Sequence, residues 1–274
     1  MSFTQHQENN LTYHTADGFT AAGGVIHGFA TRLGGVSTGD FAQLNLSLTR
    51  LDDPACVREN YRRFCAVLGT SPDRLVLTKQ VHTDTVRVAR REDLRPDLFS
   101  PIPYEADGLV TDDPALSLIC YYADCIPIFL YDPCRGAIAA VHSGWRGTAL
   151  GIVERAAEKM ITLYGCRPED MLAAIGPGIG PCCFETHTDV PDAMTAALGD
   201  AVLPCIRPLP NGKFSVDLKG VNALRLRRIG LLPGHIETLD ICTACRPDLY
   251  WSHRRLGDRR GNQGAIIRLA ASRG

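Results

Sequence analysis

Two short apolar runs, Ile126 to Tyr131 and Ala137 to Val141, constrain the fold of this chain more than any other stretch. Their length and β-branched content predict buried strands, and Asp132, Pro133 and Gly136 between them supply a turn. The unit is therefore a hairpin. A tight connection makes its strands antiparallel neighbours, so the start of one lies beside the end of the other. Asp124 and Cys125 lie just before the first strand and His142 and Ser143 just after the second, which brings Cys125 towards His142. A thiolate and an imidazole at the rim of a sheet are either two metal ligands or a nucleophile with its base.

At 274 residues the chain can bury a substantial core, and the absence of internal repeats or a Pro/Ser-rich linker favours one domain. With 29 basic and 30 acidic residues the net charge is -1. No basic block stands out, which argues against a nucleic-acid partner. No apolar stretch is long enough to span a membrane, and the N-terminus lacks the basic start and apolar centre of a signal peptide. Eleven cysteines scattered through apolar segments fit reduced thiols in a soluble, cytoplasmic protein.

Residues 1–24 read as a polar lead-in with one edge strand. The glycine-rich stretch from His27 to Leu46 is either a surface connection or a substrate loop carrying Arg32 and Asn45. A helix follows, with Asp53 as cap, Pro54 in the first turn, an apolar face of Val57, Tyr61, Phe64 and Leu68, and Gly69 as stop. Strands at Leu75 to Thr78 and Thr85 to Ala89 are joined by a link holding His82. Arg90 to Ala106, charged and proline-bearing, reads as a surface excursion, and strands resume at Gly108 to Thr111 and Leu116 to Tyr122.

After His142 a loop with Arg146 leads into a helix predicted to start at Thr148 and stop at Gly165. Its free N–H groups suit an anion; equally, Thr148 caps it and Arg146 meets a carboxylate. Leu172 to Ile175 is a further strand, and Gly176 to Glu185 imitates a dinucleotide loop. Pro177 and Pro181 remove the N–H groups such a loop needs, so a dinucleotide site is rejected. Cys182 and Cys183 read as packed or incidental residues rather than a redox pair. Helices at Pro191 to Leu198 and from Asp217 to Gly230 precede a strand at Ile236 to Ile241. Cys242-Thr-Ala-Cys245 has the spacing of a metal knuckle but no evident second pair. Ser252, His253, Arg254 and Arg255 form either a pocket edge or a polar turn, and a strand from Gly264 to Ala270 ends the chain.

Taken together, H-G-F-A-T-R-L-G-G-V-S, Q-V-H at Gln80 to His82, A-D-G-L-V-T-D at Ala106 to Asp112, A-D-C-I-P-I, A-A-V-H-S-G-W-R-G, I-G-P-G-I-G-P-C-C-F-E and S-H-R-R resemble one family in order and spacing. It is the laccase-domain or polyphenol oxidase family, now usually described as a purine nucleoside phosphorylase family and including the peptidoglycan editing factor. The resemblance runs from about His27 onward and implies a single catalytic domain over 25–274. It also implies an α/β (α+β) fold, a layered sandwich of mixed, largely antiparallel sheets covered by helices. His82, Cys125 and His142 occupy the positions of the family's metal ligands, and the hairpin independently brings two of them together. Two imidazoles and a thiolate leave a fourth position open on a tetrahedral zinc ion, and they do not exclude copper. One departure concerns the C-terminus, where the family commonly has G-R-x-A and this chain has Gly261-Asn262-Gln263-Gly264. Arg259 and Arg260 are the nearby substitutes for the missing cation.

The resemblance implies a zinc-dependent enzyme that cleaves adenosine, inosine or methylthioadenosine with phosphate, with adenosine deamination as a companion activity. On that reading Cys125, His142, Arg32 and Asn45 are catalytic, and Arg146 and His253 bind substrate or phosphate. The alternative keeps Cys125 and His142 as a metal-free amide or peptide hydrolase acting on peptidoglycan precursors. His82 separates the two, being required by a metal and superfluous for a dyad. A copper-dependent polyphenol oxidase is a weaker third reading, because a multicopper site needs histidine-rich clusters and only eight histidines are present.

Overall fold

The computed structural model describes residues 2–270. The chain begins with β1 (Phe3–Glu8), β2 (Leu11–Ala16), α1 (Asp17–Ala22) and β3 (Val25–Ala30). The expected lead-in is thus two strands and a helix. Only β1 has the polar, exposed character read from the sequence; Leu11, Tyr13, Ala16 and Phe19 are buried and tie the segment to the core. Next come α2 (Pro54–Val67), β4 (Leu75–Val76), β5 (Val86–Val88), β6 (Gly108–Thr111) and β7 (Ser117–Tyr122). The Asp53 carboxylate caps α2 by accepting from the Ala55 N–H at 2.8 Å, as predicted. The hairpin is β8 (Ile126–Asp132) and β9 (Ala137–Ser143), paired from Ile126↔Ser143 to Asp132↔Ala137.

One expected helix is two. α3 (Trp145–Leu150) ends at Gly151, whose φ of 82° is left-handed, and α4 (Ile152–Tyr164) restarts there. Thr148 therefore lies inside α3 and caps nothing; its hydroxyl is 2.8 Å from that of Ser143. The remainder is β10 (Leu172–Ile175), β11 (Glu185–Thr186), α5 (Asp189–Leu198), β12 (Ile206–Pro208), β13 (Phe214–Val216), α6 (Leu218–Arg228), β14 (Ile236–Thr238), α7 (His253–Leu256) and β15 (Gln263–Leu269). β14 stops short of the predicted Ile241 because a tight turn, closed by the Ile241 N–H to the Leu239 carbonyl at 2.9 Å, interrupts the ladder.

Among the described residues two six-stranded sheets form, ordered β1-β2-β3-β15-β7-β4 and β14-β10-β8-β9-β6-β5, with a small third sheet β11-β13-β12. Most pairs are antiparallel; β4 with β7, β5 with β6 and β10 with β14 are parallel. The fold class is the predicted mixed α/β sandwich. The hairpin explains the layers. Ile126, Ile128, Leu130, Ala139 and Val141 pack with α4, α5 and α6, whereas Phe129, Tyr131, Ile138 and Ala140 pack with Phe29, Leu118 and Ile267 of the other sheet. Both faces are buried, which is why the strands read as continuous apolar runs. The outer face of the first sheet is covered by Tyr61, Phe64 and Leu68 of the α2 region. Phe129 packs against Phe29 with ring centres 4.5 Å apart and no exposure, and such a side chain contributes roughly 1.5–3 kcal/mol by burial. No described helix is long and apolar enough to cross a membrane.

Candidate metal centre

Strand parity aims the site. His142 shares the face of Ile138 and Ala140, and Cys125 that of Phe129, so both turn towards the first sheet at the hairpin's open end. Ser143, on the other face, meets Thr148 and Asn222 beneath α3. His82 arrives from the link between β4 and β5. Its Nε2 lies 3.7 Å from Cys125 Sγ, and ligand atoms of His82, Cys125 and His142 all lie within 4.8 Å of one another. A Cβ on Gly144 would come within 2.7 Å of the His82 ring and 3.3 Å of Cys125 Sγ, so the glycine after Ser143 leaves the space that the cluster occupies.

Asp107, immediately before β6, organises the site and was not singled out from sequence. One carboxylate oxygen accepts from His142 Nδ1 at 2.8 Å and from the His82 N–H at 3.0 Å; the other accepts from the Thr83 N–H at 2.8 Å and hydroxyl at 3.0 Å. This fixes which His142 nitrogen is free. With Nδ1 engaged, Nε2 is the atom available as a ligand. The bonds also hold His82 at a φ of 64°, a left-handed conformation costly for a side-chain-bearing residue. Asp124, at φ 90°, is held comparably beside Cys125: its carboxylate accepts from the Thr243 hydroxyl at 2.6 Å, the Ser252 hydroxyl at 3.0 Å and the Arg254 N–H at 2.6 Å.

Electrostatics follow from this geometry. Burial opposes ionisation of Cys125, but the charge and hydrogen bond of His142, aided by His82, outweigh it and bring the thiol down to about 6. Burial likewise disfavours the imidazolium of His142, whereas Cys125 and Asp107 hold its proton up to about 9. Burial would raise the Asp107 carboxyl, yet His142 and the Thr83 and His82 N–H groups keep it at about 2. A thiolate and two imidazoles, one oriented by a carboxylate, form a donor set that suits zinc and accepts copper, and a cation held there would take the place of a proton on the His142 Nε2.

The cluster opens on a cavity of about 480 Å³. Leu98, Phe99 and Ile102 form an apolar wall, so the expected surface excursion folds back over the site. Arg50, Arg95 and Arg260 also line it. All three guanidinium nitrogens of Arg95 are buried without a protein partner, as is Nε of Arg260. Arg260 reaches the Gly261 carbonyl at 3.0 Å and the Asn262 side chain, placing a cation two residues before the position of the family's arginine.

Four expected residues lie elsewhere. Arg32 stacks over Trp251 at 3.7 Å and donates to the Ala42 and Pro247 carbonyls, which uses its guanidinium in fixing a loop. Asn45 is fully buried, its oxygen accepting from the Ser47 N–H at 2.9 Å and the Asn262 N–H at 3.0 Å; it positions two cavity residues without lining the cavity. Arg146 is exposed with its guanidinium 4.3 Å from the Trp145 ring centre, and His253 is exposed at the start of α7. Neither lines the cavity.

A sequence model described as multi-copper polyphenol oxidoreductase laccase matches residues 26–270. A protein named purine nucleoside phosphorylase YlmD from Geobacillus stearothermophilus is 36% identical, with 91% of each chain covered. Mouse purine nucleoside phosphorylase LACC1 is 34% identical over 89% of this chain, which spans 55% of that protein's length. Among solved structures, the Bacillus licheniformis hypothetical protein YfiH superposes with a TM-score of 0.88 at 30% identity, covering 96% of this chain and 97% of its own.

Proposed function

This chain belongs to the multi-copper polyphenol oxidoreductase laccase family, and from that premise and the site's geometry we propose that it is a zinc-dependent purine nucleoside phosphorylase. Adenosine, inosine and methylthioadenosine are the proposed substrates, with adenosine deamination as a companion activity. The observation that carries the reading is the pairing of a three-donor metal cluster with the unpartnered, buried Arg95 guanidinium in one cavity. A buried cation without a partner calls for an anion, and phosphate suits a guanidinium fork.

In phosphorolysis an oxygen of hydrogen phosphate bonds to the ribose anomeric carbon, the bond from that carbon to the purine nitrogen breaks with its electron pair staying on the base, and the base takes up the proton that the phosphate gives up. Arg95 and Arg260 would hold the phosphate and offset its charge. Leu98, Phe99 and Ile102 would receive the base and exclude water. Asp107 keeps the His142 Nδ1 proton engaged so that Nε2 faces the site. His82, Cys125 and His142 would hold a zinc ion, which when bound supplies a Lewis acid with one open position.

A second reading has its own support. Cys125 with its thiol lowered to about 6, His142 and Asp107 stand in the order nucleophile, base and orienting carboxylate, as an amide hydrolase requires. Metal content and phosphate-dependent base release, measured on the parent and on Cys125→Ala, separate the two. We expect both the ion at this centre and base release to be lost in the variant. A parent that is inert towards nucleosides yet cleaves an amide through Cys125 after chelation establishes the hydrolase instead.

A further inference from the structure

A second convergence of thiols lies outside the cavity. Cys182 and Cys183 follow β10, Cys242 and Cys245 follow β14, and these two strands are parallel neighbours, so the loops leaving their C-terminal ends run side by side. The pairing continues into the loops through the Gly178↔Cys242 bridge and the Thr243 N–H to Gly178 carbonyl bond at 3.1 Å. The four sulfurs lie within 4.8 Å of one another, with Cys245 Sγ at 3.6 Å from Cys182 and 3.4 Å from Cys183. All four are free thiols.

We propose that Cys182, Cys183, Cys242 and Cys245 bind one zinc ion in a closed tetrathiolate site with a structural role. A tetrahedron with metal–sulfur distances of about 2.3 Å has sulfur–sulfur edges of about 3.8 Å, close to the separations found. The Cys242-Thr-Ala-Cys245 turn is a knuckle, closed by the Cys245 N–H to Cys242 carbonyl bond at 3.1 Å, and the vicinal pair supplies the missing half. The Gly180 N–H donates to Cys242 Sγ at 3.2 Å, as expected where backbone amides stabilise a metal-bound thiolate. A Cβ on Gly180 would lie 3.3 Å from Cys182 Sγ, so glycine permits the loop's close approach to the sulfurs.

Four thiolates around a dication carry two net negative charges, and cations flank the site. Arg254 donates to the Cys183 carbonyl at 2.7 Å, and the buried Lys219 ammonium donates to the Leu239 and Ile241 carbonyls at 2.6 and 2.8 Å. Cys182 and Cys245 are exposed, which gives the ion a route in from solvent. With four sulfur ligands no position is left for substrate. Two residues connect the cluster to the metal centre: Thr243, inside the knuckle, and Arg254, bonded to the Cys183 carbonyl, both donate to the Asp124 carboxylate beside Cys125.

The test counts metal in the Cys125→Ala protein, where the histidine centre is disabled, so its result is independent of the reading of that centre. Mass spectrometry and elemental analysis are expected to find about one zinc per chain, retained against mild chelation. Cobalt exchange should then give the intense visible and near-ultraviolet bands of a tetrahedral thiolate site, lost on further change of Cys245→Ser or of Cys242→Ser. Zinc-free Cys125→Ala protein, iron in place of zinc, or a mass showing a disulfide among these four cysteines overturns the assignment. Because the count is made with all four thiols intact, a Cys242 variant that fails to fold does not affect it.

Discussion

The two thiol-bearing clusters differ in three respects that bear on what each can do. The His82–Cys125–His142 centre mixes nitrogen and sulfur, has three donors, and faces a cavity lined by Arg95, whose guanidinium has no protein partner. The Cys182–Cys183–Cys242–Cys245 cluster is all sulfur, has four donors, and joins two loops at the surface. An open position beside a cavity allows chemistry, whereas a filled tetrahedron can only cross-link. The contrast turns on donor number and surroundings, since cysteine is common to both.

The sharpest way to break this contrast is to remove one thiol from each. Cys125→Ala should abolish turnover while moving the unfolding midpoint little, because the hairpin it borders is held by its buried strands. Cys242→Ser should act chiefly on stability, costing on the order of 2–4 kcal/mol in denaturant unfolding, the size of a cross-link that closes a long loop, with a smaller loss of turnover passed on through Asp124. Equal losses of stability from the two variants, measured side by side, would show that both ions are structural and remove the distinction.

The difference between the clusters also governed what could be read from sequence. Cys125 and His142 were legible because one local hairpin brings them together, and short apolar runs with a turn are a strong local signal. His82 sits on an irregular link and came only from the resemblance. The second cluster depends on β10 and β14 pairing in parallel across a long crossover, a tertiary fact with no local mark, so the vicinal cysteines read as packing. Asp107 and Arg95 were missed for a related reason: a carboxylate before a strand and an arginine in a proline-bearing stretch are ordinary until the fold aims them. Arg32, Asn45, Arg146 and His253 show the converse, polar residues in suggestive company whose hydrogen bonds or exposure place them off the cavity.

Intermediate effects test the open centre from its two sides. Asp107→Asn keeps the shape but weakens the acceptor that orients His142, and a loss of about 10- to 100-fold in metal affinity and turnover is expected. The cysteine cluster should keep its ion in that variant; loss of both ions would mean that Asp107 acts on the whole fold. Arg95→Met addresses the cavity. It should raise KM for phosphate roughly tenfold with little change for the nucleoside, and leave stability unchanged or higher, since it removes a buried cation with no protein partner. An unchanged phosphate KM would move the anion to Arg50 or Arg260.

The smallest effect concerns reactivity alone. After brief chelation of the open centre, alkylation of Cys125 by iodoacetamide should rise through pH about 6, because burial, which favours the thiol, is outweighed there by His142 and His82. Cys182 is shifted the other way, to about 11, by burial and by its hydrogen bonds with Cys245 and Cys242. Whether still metal-held or merely protonated, it should stay unmodified over the range in which Cys125 reacts. The rate at Cys125 should level off above its midpoint at a modest value, since a thiolate of low basicity is a weaker nucleophile. Peptide mass spectrometry follows both sites in one sample. Profiles that rise together near the ordinary cysteine value would mean that His142 does not share its proton with Cys125, leaving the two clusters alike in their thiol chemistry.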